Sequence, residues 1–154
     1  MWQKSALAVC GSLCLLMTPA SAQDAAPAIQ YDAALAKSLG ADERGMRPYV
    51  LVILKTGPAK VTDKEARTKM FQGHFANMER LAGEKKLVMA GPLDGVDGRR
   101  GIFVFATPDI EQAKTYVATD PVIVNGEMVA EYHKFYGSAG MMMLNEIHSK
   151  IEKK

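Results

Sequence analysis

The run YVLVILK, residues 49–55, decides how the rest of the chain is read. It is aliphatic and β-branched almost without a break, and it is bounded by turn residues on its C-terminal side. A strand half exposed to water alternates apolar with polar side chains; this one does not, so both of its faces are covered. Downstream, TGPAKV breaks the run. Thr62-x-x-Glu65 then reads as a capping box, with Val61 set to staple against Ala66. The spacing of Met70, Phe71, Phe75, Met78, Leu81 and Ala82 predicts a helix reaching about Gly83. KLVMAG (86–91) and IFVFA (102–106) read as strands, joined by the glycine-rich GPLDGVDGRRG in a connection of hairpin type. Thr107 is the expected N-cap of a second helix, with Pro108 at its first position and Ile110, Ala113 and Val117 facing inward. Pro121 should end that helix. The chain then turns through Asn125-Gly126-Glu127 into MVAEYHKFY (128–136), an alternating fourth strand.

The order βαββαβ predicts an α+β, ferredoxin-like arrangement: an antiparallel sheet with two helices on one face. Because YVLVILK is apolar on both sides, the opposite face also needs a cover. The simplest cover is a second copy of the chain, sheet against sheet, in a two-fold homodimer.

Length and composition set the outer bounds. With 154 residues, 48% apolar and a formal net charge of +2, the chain suits one domain with a real core and carries no polyanion-binding signature; no nucleic-acid partner is expected. The start reads as a secretory signal peptide: basic MWQK, then the apolar SALAVCGSLCLLM, too short to span a bilayer comfortably, then Ala20-Ser21-Ala22 in the small-x-small pattern. Cleavage after Ala22 predicts a periplasmic or secreted protein with no membrane attachment. Cys10 and Cys14 leave with that segment, and with them any disulfide, thiol nucleophile or thiolate metal site. The expected organisation is a signal peptide at 1–22, a flexible leader at 23–47 with a turn or two of helix around Tyr31 to Leu39, a domain at 48–137, and an amphipathic C-terminal extension at 138–154. In that extension Met143, Leu144, Ile147 and Ile151 fall at helical spacing.

Few residues carry chemistry. On a helical wheel His74 falls on the apolar side of its helix, between Phe71 and Phe75 on one hand and Met78 on the other. Alone it reads as a core histidine. Asp120 shares a phase with Ala113 and Val117; alone it reads as a helix-stop carboxylate bonded to nearby backbone. Together they form a pair, since both lie on the inward sides of two helices that pack on one sheet face. A carboxylate that orients an imidazole provides a general acid or base. Arg99 and Arg100 sit in the glycine-rich connection, as solvated loop charges or as a mobile cationic lid over an anionic ligand. Gly91 allows backbone to approach a pocket. His133 reads as structural or interfacial. The chain has 10 methionines, three of them Met141-Met142-Met143 with His148 nearby; thioethers suit Cu(I), but the spacing makes no clean site and reads as core filler. No phosphate-binding loop, dinucleotide fingerprint, H-E-x-x-H or G-x-S-x-G is present, so no cofactor and no metal are expected. Three functions remain: a small-molecule enzyme of lyase or isomerase type, a non-catalytic module for a small ligand or a protein, and, more weakly, metal or haem binding through His74.

Two stretches resemble the YCII-related domain family. GHFANMERLAGEKKLVMAGPL shares its early helical histidine and a short strand ending in Ala-Gly-Pro. GIFVFATPDIEQAKTYVATDPVIVNGEM shares a strand, an acidic helix start, Asp-Pro and a glycine before the last strand. The resemblance spans about residues 49–136. It implies a ferredoxin-like dimeric α+β barrel, and it matches His74 and Asp120 to the histidine and aspartate to which the family's active site is ascribed. One relative is linked to dehydrochlorination of chloroaromatic compounds, and the fold is shared with muconolactone isomerase and cofactor-free monooxygenases. The signal-like start, the leader and the C-terminal extension depart from the family pattern.

Overall fold

A computed structural model describes residues 30–153. The elements are α1 (Ala33–Ser38), β1 (Met46–Thr56), α2 (Lys64–Gly83), β2 (Leu87–Pro92), β3 (Arg99–Phe105), α3 (Ile110–Val117), α4 (Pro121–Val124), β4 (Met128–Ser138) and α5 (Leu144–Ile151), with short 3-10 turns at Val96–Gly98 and Ala139–Met143. Four strands form one sheet in the order β2-β3-β1-β4, and every pairing is antiparallel. This is the ferredoxin-like α+β arrangement expected from the βαββαβ order.

Alternation along β1 builds two apolar layers from one strand. Val50, Val52 and Leu54 face the helices and pack with Phe103 and Phe105 of β3, Met70 and Leu81 of α2, Ala113 and Val117 of α3, and Val122 of α4. Tyr49 faces the other way and packs with Val88 and Val104, joined by Leu51, Phe135, Met141 and Met142. Each fully buried aliphatic or aromatic side chain contributes roughly 1.5–3 kcal/mol of transfer free energy, so the double-sided strand anchors both layers. The expected cover of the second face is thus supplied in part by the chain's own C-terminal segment. Met141 and Met142 are core filler on that face. Toward the far end Ile53 and Ile102 remain half-buried and Val129 is 43% exposed.

Several boundaries differ from the sequence reading, each for a local reason. α2 is capped by Asp63, whose side chain accepts from the Ala66 N–H at 2.7 Å; an aspartate outcompetes the adjacent Thr62 for that place. α3 is capped by Asp109, while Thr107, two residues earlier, accepts from the Asp109 N–H through Oγ1 at 3.1 Å. Pro121 does not end a helix. α3 stops at Val117, and Pro121 occupies the first position of α4, where its missing N–H costs nothing. In the described part of the leader Asp32 caps α1, and Arg47 Nη1 donates to the Leu39 carbonyl at 2.8 Å. β1 and β4 both run beyond the expected domain edges, pairing Met46 with Ser138. α5 lies at the β2 edge, held by Asn145 Nδ2 donating to the Leu87 carbonyl at 2.8 Å, with Ile147 and Ile151 exposed. The signal-like residues 1–22 lie outside the described residues, among which no helix is long and apolar enough to cross a membrane.

Candidate active site

His74 is in the middle of α2 and only 8% exposed; Asp120 is fully buried. Their proximity begins with Gly73. A Cβ there would stand 3.0 Å from Pro121 Cγ, so the bare glycine lets α2 close onto α4 and draws the following histidine toward the preceding aspartate. Asp120 itself has extended backbone, φ −81° and ψ 125°, as expected of a residue before proline. It caps α4 by accepting from the Val122 N–H through Oδ1 at 3.1 Å. The same carboxylate meets His74 Nδ1 at 2.9 Å through Oδ1 and 2.8 Å through Oδ2. Asn77, one turn beyond His74 and also buried, ties α2 to the approach to Asp120: its Oδ1 accepts from Thr119 Oγ1 at 3.0 Å and from Arg80 Nη2 at 2.8 Å.

A carboxylate in its ionised form can only accept, so in that form Asp120 would take the Nδ1–H and leave Nε2 as the other ring nitrogen. The ring also meets aromatic neighbours: Phe71 edge-on at 6.0 Å, Phe75 at 5.3 Å and Phe103 at 6.0 Å between centroids. Phe75, expected within the core, is 57% exposed and stands at the mouth instead. These residues line a cavity of about 280 Å³ together with Leu54, Met78 and Met128. Gly91 lines it too, and a side chain there would meet nothing within 4 Å, so its bareness leaves volume rather than permitting contact.

Arg99 and Arg100 are not in a loop; they open β3. Arg99 points to solvent and pairs with Asp97 at 3.1 Å, away from the cavity. Arg100 lines the cavity. A bulge separates them: Lys55 pairs with Arg99 and Leu54 with Gly101, leaving Arg100 without a partner on β1. An extra residue of this kind re-aims a side chain and breaks simple alternation, which is why sequence spacing could not separate the two arginines.

One residue that the sequence reading passed over belongs beside this site. Glu127 is 4% exposed; Arg67 binds its Oε1 through Nη2 at 2.8 Å and Nε at 3.1 Å, and the Val61 N–H reaches its Oε2 at 2.9 Å. The Val61 N–H first, and then Arg67, hold its carboxyl below the ordinary glutamate range. Arg67 in turn lies over Phe71 at 4.8 Å, connecting the ion pair to the cavity wall. A glutamate directly after Asn-Gly reads as turn polarity, and no spacing rule marks it as buried.

A larger groove of about 450 Å³ runs between α2, β2 and α5. Its polar lining residues are Glu79, Asn145 and His148; Asn145 is engaged with the Leu87 carbonyl, and His148 has no carboxylate partner among the described residues. His133 lies on the opposite sheet face, 45% exposed, 2.9 Å from Glu131.

Among curated proteins none matches the chain by sequence. Among solved structures, 5-chloro-2-hydroxyhydroquinone dehydrochlorinase from Burkholderia phenoliruptrix AC1100, in complex with 2,5-dihydroxybenzoquinone, is similar at 18% identity and a TM-score of 0.42, covering 56% of this chain and 92% of its own. The sequence model of the YCII-related domain matches residues 48–135, more than half of the chain and the whole span from β1 to the site-bearing α2 and α4 and on into β4; the chain belongs to the YCII-related domain family.

Proposed function

We propose that this protein is a small-molecule enzyme of lyase or isomerase type in which His74 moves a proton and Asp120 holds the imidazole in register. The observation that carries the reading is the buried 2.8 Å contact between Asp120 and His74 Nδ1, which leaves Nε2 as the basic nitrogen beside an apolar cavity. In the forward step Nε2 takes a proton from a substrate carbon. The C–H electron pair becomes a new double bond, and either a leaving group departs with its electrons or the proton returns at another carbon. Asp120 keeps the Nδ1–H in place and offsets the positive charge that forms on the ring, a role a buried carboxylate performs without being protonated itself. Gly91 supplies room for the substrate.

The proposal extends to export, on the signal-like residues 1–22, and to a two-fold homodimer that would cover the open end of the second sheet face around Ile53, Ile102 and Val129.

Nitrogen-15 NMR of the histidines tests the base assignment. His74 should hold its proton on Nδ1, and Asp120→Asn should shift that proton toward Nε2; a wild-type His74 protonated on Nε2 ends the proposal. In D2O, carbon-bound protons of a single-ring carbon acid should exchange, with His74→Asn slowing exchange by about a hundredfold or more, the usual scale of a lost general base. A ligand that binds wild type and His74→Asn equally, with no exchange, would instead mark a non-catalytic binding module.

A further inference from the structure

Beside the His74 cavity lies a second, polar compartment of about 270 Å³, walled by Thr56, Gly57, Lys60, Arg67, Arg100 and Glu127. The two spaces adjoin along three elements. Arg100 lines both; Phe71 faces the first and Arg67, one turn earlier on α2, the second; Met128 faces the first and Glu127 the second. The polar compartment is rigidly walled. Gly57 N–H donates to the Glu127 carbonyl at 2.8 Å and Ala59 N–H to the Gly126 carbonyl at 3.1 Å. A Cβ on Gly57 would fall 2.1 Å from the Gly126 oxygen, so only glycine fits there.

The charges in this compartment do not cancel. Glu127 spends its carboxylate on Arg67 and the Val61 N–H. Among the described residues the Lys60 and Arg100 side chains make no hydrogen bond and no contact ion pair, although the Arg100 charge reaches Glu127 and helps to lower its carboxyl. Two cations are thus presented to one small space, and one of them is half-buried on the boundary with the apolar cavity. An aromatic-walled cavity beside an excess of positive charge fits a ligand with an apolar ring and an anionic oxygen group at one end.

We propose that the polar compartment is the anion subsite of the active site: the substrate is a single-ring acid whose ring lies against His74 and whose carboxylate or ionised oxygen is held between Arg100 and Lys60. This assignment rests on the acid–base reading for the word substrate, but the anion subsite stands or falls by binding alone. Arg67 and Glu127 do not bind the ligand in this scheme. They position Phe71 and fix the wall, leaving the net positive charge to the other two side chains.

The test uses benzoate and its neutral isostere benzamide as probes, with the full chain, by NMR titration of cavity resonances. Benzoate should bind at least about tenfold more tightly than benzamide, the scale expected for a charge-assisted contact. Arg100→Gln should erase that preference. Lys60→Gln, at an exposed position that leaves the fold intact, should reduce it severalfold, and rising salt should weaken benzoate alone. Equal binding of the two probes by wild type, or a preference untouched by both Arg100→Gln and Lys60→Gln, overturns the subsite. His74→Asn should keep the benzoate preference. If it does while the wild-type His74 proton sits on Nε2, the anion subsite holds and the acid–base reading fails; if the tautomer is right and the preference absent, the reverse is true.

Discussion

The sheet carries a histidine beside a carboxylate on each of its faces. On the helix side His74 Nδ1 stands 2.8 Å from Asp120; on the other side His133 Nε2 stands 2.9 Å from Glu131. Distance does not separate the two pairs. Burial does: the side chains are 10% and 0% exposed in the first and 45% and 47% in the second. Glu131 is shared with Lys55 at 3.4 Å, and Lys55 is the first cause holding its carboxyl below the ordinary range. Among the described residues no lysine or arginine pairs with Asp120, whose other side-chain partner is the capping Val122 N–H. In water an ion pair gains little, because solvent screens it and the side chains lose freedom. In the interior each member depends on the other, because an unpaired polar group has nowhere else to turn.

Removing each carboxylate in turn is the largest test of that contrast. Asp120→Ala strands the His74 Nδ1–H and the Val122 N–H, and should lower unfolding stability by about 3 kcal/mol or more. Glu131→Ala should leave the urea midpoint within experimental error. A comparable loss from both would mean that burial is not what distinguishes the pairs.

Spreading the inner pair apart should have the next largest effect. Gly73→Val inserts bulk where even a Cβ is 3.0 Å from Pro121 Cγ; overpacking at a helix contact costs about 2 kcal/mol. It should also broaden or shift the His74 imidazole resonances, while those of His133 stay in place. A variant with native His74 resonances and full stability would show that the helices close by some other means.

Acid sharpens the comparison further through Glu127, a carboxylate buried like Asp120 but paired with an arginine. Its folded-state value is lowered, chiefly by the Val61 N–H. A lowered carboxylate stabilises the fold above its unfolded value and loses that contribution as pH falls through the folded one. The stability difference between wild type and Glu127→Gln should therefore be full at neutral pH and shrink below the ordinary glutamate range. A difference that grows on acidification would reverse the sign and remove the account.

The two faces were legible in the sequence to different degrees. YVLVILK announced a strand with two covered faces, and the helical phase of His74 and Asp120 pointed both inward. What escaped the sequence was how the second face is covered, because Met141 and Met142 reach Tyr49 only after β4 has run its full length and the chain has turned back. The N-caps also moved by a residue or two: Asp63 rather than its neighbour Thr62 takes the Ala66 N–H, and Thr107 takes the Asp109 N–H while Asp109 takes that of Glu111, a choice made by helix geometry.

Sequence by itself determined the order of the four strands and the two core helices between them, the double-layered core and the inward facing of the two ionisable groups, because these follow from periods of two and 3.6 in side-chain character. Only the tertiary structure decided that Gly73 and Pro121 touch, that Asp120 starts a helix while holding His74, and that Arg100 and not Arg99 reaches the cavity. Each of those depends on contacts between segments far apart in the chain or on a bulge in strand register. A pattern local in sequence carries no information about either.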